Sequence, residues 1–254
     1  MSETCLVLVA LAIGLTCSAV AADGIVLTLH TDRPELVMGE PLLVELTALN
    51  ATDEEVLIRT DGEAPNRFLI AGDGTRTPLI PPEPVGSSLY FYDKIPVGSN
   101  KTLRFLVPEI AEVKRPGEYR LLVEYEDLHA SGELKFAVKP YNQGALRART
   151  AELYRAVVTG AEYGFGPSAI MTIEPAIAKP FLCDLMKLTR STAAPVYRLE
   201  QIGDEESIQC LIGAFPTAKG DLRDILTGAL LRLLKDLPDG PSKENIKRAL
   251  GQPL

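Results

Sequence analysis

Tryptophan is absent from the 254 residues, histidine occurs twice, and aromatic side chains make up only 6% of the chain. With His30 and His129 alone, both in the first half, histidine-rich metal sites and relays have few ligands to draw on, and both residues read as surface positions at strand ends. There is no C-x-x-C, no H-x-x-x-H, no G-x-S-x-G and no Gly-Lys-Ser/Thr. Ser131, between Ala130 and Gly132, reads as hairpin chemistry rather than as a nucleophile. Gly160, Gly164 and Gly166 lack both the preceding strand and the following Lys of a phosphate cradle, so they mark a helix exit and a loop. Positive charge is also short: 26 Lys and Arg stand against 34 Asp and Glu, a net charge of −8, which argues against a general nucleic-acid binder. No cofactor and no metal is expected. The acids at Asp53-Glu54-Glu55 and Asp61-x-Glu63 lack the ligand spacing of a calcium loop and read as solvated turns.

One long apolar run is present. Cys5 to Val20 holds sixteen residues without a charge, followed by the small-x-small triplet Ala19-Val20-Ala21. Residues 1–22 are therefore expected to be a secretory signal peptide, although Ser2, Glu3 and Thr4 supply no basic residue in front of it. The run is short of the roughly 20 residues needed to cross a bilayer, so no stable span is expected after cleavage. Gly14-Leu15-Thr16 before Cys17 is too bulky for lipid attachment. Cleavage near Ala21 would leave Cys183 and Cys210 in a secreted or periplasmic chain.

The remainder changes character near Pro140. Residues 23–140 carry 20 acids and 12 bases, and apolar residues recur at every second position; residues 141–254 carry 13 acids and 14 bases, with apolar residues at every third and fourth. Ile25-x-Leu27-x-Leu29, Leu42-x-Val44-x-Leu46-x-Ala48, Leu103-x-Phe105-x-Val107, Tyr119-x-Leu121-x-Val123-x-Tyr125 and Leu134-x-Phe136-x-Val138 predict half-buried strands. Arg115-Pro116-Gly117 and Ala130-Ser131-Gly132 are read as turns, and Asp73-Gly74 as a hairpin tip. About seven such strands suit two packed antiparallel sheets.

The segments Asp32-Arg33-Pro34 to Met38-Gly39-Glu40-Pro41, Leu49-Asn50-Ala51-Thr52-Asp53 and Pro116-Gly117-Glu118-Tyr119-Arg120-Leu121 resemble the bacterial immunoglobulin-like domains of exported proteins. That resemblance implies a sandwich in which Tyr119 acts as a tyrosine corner, its hydroxyl on the backbone of the preceding connection. The disulfide and buried Trp of antibody domains are missing.

Beyond Pro140, Leu222, Ile225, Leu226, Ala229, Leu230, Leu233, Leu234 and Leu237 form one helical stripe, stopped by Pro238-Asp239-Gly240-Pro241. Asp204 is placed to cap a helix that starts with Glu205 and Glu206 and buries Ile208, Leu211, Ile212 and Phe215. Phe181-Leu182-Cys183-Asp184-Leu185 and Ile208-Gln209-Cys210-Leu211-Ile212 match each other as a weak repeat. The run from Ala194 through Ile202-Gly203-Asp204 to Ile212 resembles a HEAT repeat of the short phycobilisome-lyase type, which implies a left-handed stop at Gly203 and a second helix from Asp204. The flanking stretches share only the period, Pro180 is expected to interrupt the first, and a plain helical bundle is the alternative. Since stacked helices lie roughly 8–10 Å apart, Cys183 and Cys210 are expected as two buried thiols rather than a bridge.

The expected fold is thus multi-domain all-β plus all-α: an immunoglobulin-like antiparallel β-sandwich over residues 23–140, then a small α-helical HEAT-like array over residues 141–254. The expected function is a non-enzymatic protein-binding or envelope-associated module with a protein or peptide partner and no nucleic acid. Ser88-Leu89-Tyr90-Phe91-Tyr92-Asp93-Lys94 gathers three aromatics. It is either an ordinary strand with Leu89 and Phe91 inward or a ligand platform, and Tyr90 and Tyr92 are the candidate binding residues. Two other functions stand beside the first: a proteinase-inhibitor-like or carbohydrate-binding sandwich, with Pro81 to Pro84 as the inhibitory loop, and a hydrolase using two buried carboxylates. Asn50 and Asn100 sit in glycosylation sequons that matter only in a eukaryotic source.

Overall fold

The computed structural model describes residues 24–60, 67–72, 75–79, 92–107, 110, 113–160, 166–186, 188 and 193–252. Strands come first and helices second: β1 (Ile25–His30), β2 (Glu35–Val37), β3 (Leu42–Asn50), β4 (Val56–Arg59), β5 (Arg67–Gly72), β6 (Thr75–Leu79), β7 (Tyr92–Ile95), β8 (Asn100–Val107), β9 (Gly117–Tyr125) and β10 (Ala130–Lys139), then α1 (Gln143–Thr159), α2 (Gly166–Thr172), α3 (Pro175–Leu185), α4 (Ala193–Ile202), α5 (Glu205–Ala214), α6 (Asp221–Asp236) and α7 (Pro241–Leu250). Two compact units result. One takes the chain up to Pro34, Val44–Arg104 and Gly117–Ala137; the other takes Glu35–Leu43, Phe105–Pro116 and everything from Val138. Two segments of the strand half thus belong to the helical unit.

The strands form three sheets, ordered β1-β3-β8, β2-β10-β9-β5-β6 and β4-β7. β1 and β3 pair antiparallel with Leu27 opposite Ala48 and Leu29 opposite Leu46, so the alternating apolar residues share one buried face. β5 and β6 pair antiparallel from Phe68 opposite Leu79 to Gly72 opposite Thr75, and the expected hairpin tip Asp73-Gly74 lies outside the described residues. Ala137 N–H donates to Pro34 O and Met38 N–H to Lys139 O, partners that advance together as a parallel pair does.

Ala130-Ser131-Gly132 is not a turn. It opens β10, and the connection from β9 runs through a 3-10 turn at Glu126–Leu128 and His129, whose φ is 46°. Gly132 is in the strand because of what lies over it: a Cβ there would sit 2.5 Å from Leu29 Cδ1 and 3.3 Å from Leu27 Cβ. Asn50 ends β3 fully buried, with Nδ2 donating to Glu54 O and Ile95 O at 2.8 Å each and Oδ1 accepting from Thr52 N and Oγ1. The amide is therefore committed to holding the turn.

In the helical unit, Leu146, Leu153, Ile170, Leu182, Leu199, Leu211 and Leu230, all buried, belong to one apolar cluster drawing on every helix. Pro180 does not interrupt: α3 runs through it to Leu185, at the cost of one helical hydrogen bond. α6 ends at Asp236, ahead of Pro238, and buries the stripe Leu226, Ala229, Leu230 and Leu233.

Candidate functional site

Of the two candidate binding tyrosines, Tyr90 lies outside the described residues, as do Pro81 to Pro84 and Asp61-x-Glu63. Tyr92 opens β7, which pairs antiparallel with β4 so that Tyr92 faces Arg59 and Lys94 faces Leu57. Directly opposed residues share a face, so Leu57 and Tyr92 are diagonal neighbours on one side of this two-stranded ribbon. They are 53% and 48% exposed, while Ile58 and Ile95, on the opposite side, are fully buried. Tyr119 is buried: its ring stacks on Phe136 with centroids 5.8 Å apart and lies over Gly72, its partner across β5 and β9.

Gly203 adopts φ 64° after α4, and Asp204 caps α5 by accepting from Ser207 N–H at 2.9 Å. Lys179 of α3 reaches the same point, with Nζ 2.7 Å from Asp204 Oδ2 and 2.6 Å from Glu206 Oε2. Partial burial works against the Asp204 charge, but the Lys179 ammonium and the Ser207 hydrogen bonds outweigh it and hold the carboxyl at about 2. The hydrogen bonds from Lys179 to Asp204 and Glu206 push its own pKa up. Beside them, Glu205 accepts from Ser242 and Gln209, the Ser242 bond being the larger influence pulling its pKa down.

Cys183 of α3 and Cys210 of α5 form a disulfide, with Cα atoms 5.6 Å apart. This corrects the expectation of two thiols. Helix spacing is measured between axes, whereas Cα atoms on facing sides stand about 2.3 Å off each axis and so come closer by up to about 4.6 Å. Both cysteines are partly exposed, and both line a cavity of about 650 Å³ with Met186, Gln209, Gly213 and Lys219 among its walls. A Cβ added at Gly213 would meet open space.

Sequence reasoning missed the buried charge pair of the helical unit. Glu40 follows the left-handed Gly39, accepts from Val37 N–H at 3.1 Å, and faces Arg149 Nε of α1 at 3.1 Å, with side chains 0% and 9% exposed. Glu40 is the buried carboxylate among the described residues, and its neighbour is a guanidinium rather than a second acid. His30 sits at the end of β1 opposite Glu45 in register, and His129 lies in the β9–β10 turn. No group of three or more His, Cys, Asp or Glu suited to a metal ion occurs among the described residues, and no described helix is long and apolar enough to cross a membrane. Gly160 is the left-handed cap that ends α1, and Gly166 opens α2.

No family model and no curated protein matches the chain. Among solved structures, β-glucosidase from Listeria innocua in complex with glucose is similar at a TM-score of 0.31 and 18% identity over 46% of this chain and 16% of that one. A β-glucosidase involved in saponin metabolism from intestinal bacteria is similar at a TM-score of 0.28 and 15% identity over 41% and 14%. The matches span about one sixth of those enzymes' length, and likeness at this level carries no argument about this chain.

Proposed function

We propose that the protein is exported and serves as a non-enzymatic protein-binding module of the cell envelope or extracellular space, its partner docking on the outer face of the β4–β7 ribbon. The observation that carries this reading is the exposure of Leu57 and Tyr92 side by side, an apolar and an aromatic anchor flanked by Arg59 and Lys94. Such anchors suit an extended peptide. The Cys183–Cys210 bridge supports an oxidising compartment.

In this reading the strand unit is an immunoglobulin-like sandwich, and the approach of Gly132 to Leu27 and Leu29, on a strand of another sheet, supports two packed layers. The helical unit is a short HEAT-like array, supported by the Gly203-Asp204 turn between α4 and α5. A pull-down from envelope extract with the mature protein and with a Leu57→Ser/Tyr92→Ala variant tests the function. A captured protein lost from the variant is the expected result. A glycan array and a hydrolase screen run beside it, and turnover abolished by changing a carboxylate would overturn the proposal.

A further inference from the structure

We infer that the Cys183–Cys210 bridge is a site of thiol–disulfide exchange in the folded protein, open to a dithiol through the cleft it lines. A disulfide that only staples a core is sealed behind side chains and is reduced only when the chain unfolds. This one joins α3 to α5 at the wall of a cavity of about 650 Å³, within the range of pockets that admit small molecules, and each cysteine keeps some exposure to solvent. The wall beside Cys210 is cut low by Gly213 and Ala214, and nothing stands within 4 Å of where a Gly213 side chain would begin. Lys219, on the same cleft, supplies a positive charge that favours an approaching thiolate.

The two sulfurs are not equivalent. Cys183 lies in the last turn of α3, where helix carbonyls disfavour a developing negative charge, whereas Cys210 lies in the interior of α5. Attack therefore falls on Cys183 Sγ. The first thiolate of the dithiol forms a bond to that sulfur as the Cys183–Cys210 bond breaks, and the electron pair leaves on Cys210 Sγ, which takes up a proton. The second thiol then attacks the mixed disulfide and releases Cys183. Two electrons and two protons pass to the cysteines, and the dithiol is oxidised to its own disulfide.

The test is the rate of reduction of the oxidised, mature full-length chain by dithiothreitol without denaturant, read by alkylation and mass spectrometry while far-UV circular dichroism follows the helices. Gly213→Leu provides the second arm, because the larger side chain fills open space and replaces glycine within a helix, so folding is preserved. The expected result is reduction with the helical signal retained, first order in dithiothreitol, and slowed about tenfold or more by Gly213→Leu as access closes. Reduction that appears only as urea unfolds the protein, or proceeds at the same rate in Gly213→Leu, would overturn the inference.

Discussion

Gly72 and Tyr119 face each other across β5 and β9, and an alanine Cβ at Gly72 would lie 2.3 Å from Cδ1 and 2.5 Å from Cε1 of the ring. A ring held against Phe136 has little freedom to withdraw. Gly72→Ala is expected to cost about 1–3 kcal/mol as an overpacked site, measured by urea denaturation, and less when paired with Tyr119→Leu, because the two changes share one contact. Asp204 gives a second residue-level prediction. Loss of the cap in Asp204→Ala is expected to cost about 1 kcal/mol. Because the folded carboxyl titrates at about 2, below its ordinary 3.8, its contribution is full above pH 4 and disappears as pH falls through 2. Acid titration of the variant should therefore show a shallower loss of stability between pH 4 and 2 than the parent protein.

At the scale of elements, the segment Glu35–Leu43 is tied into the helical unit by charge as well as packing. Arg149→Met strands Glu40 in a buried site and is expected to cost about 3–5 kcal/mol, whereas Glu40→Leu combined with Arg149→Met should recover much of that loss, read in the same denaturation assay. That pair shows where the sequence stops speaking. The α4–α5 turn was legible because its chemistry is local: glycine alone accepts the left-handed stop easily, and the next residue has the oxygen for the cap. The strands were legible from alternation, with their burial set by period. Glu40 looked like any turn acid, since its partner comes from a helix far along the chain. Gly132 looked like a turn residue because a neighbour's close approach leaves no local mark. The bridge was misjudged because matching repeat positions give a register but not the separation of facing Cα atoms. At the ribbon, the aromatic cluster pointed to Tyr92, but Leu57 stood out only once β4 and β7 were paired.

The asymmetry of the whole molecule extends from charge to crosslinking, since the acidic strand half, residues 23–140, holds no cysteine while both cysteines of the bridge lie in the helical unit. Closing a loop between positions 27 apart restricts the unfolded chain by about 3–4 kcal/mol in the chain-entropy account. That stabilisation belongs to one unit. Calorimetry of the protein should therefore resolve two transitions, and Cys183→Ser/Cys210→Ser should lower the helical one by on the order of 10 °C while leaving the other in place. Comparing that variant with Gly213→Leu separates the bridge's two proposed roles, because the serine pair removes the staple and the exchange site together, whereas Gly213→Leu is expected to narrow the cleft and keep the staple. If both transitions fell together in the serine variant, the strand and helical units would be melting as one cooperative body, and the crosslink would be stabilising the strands as well as the helices.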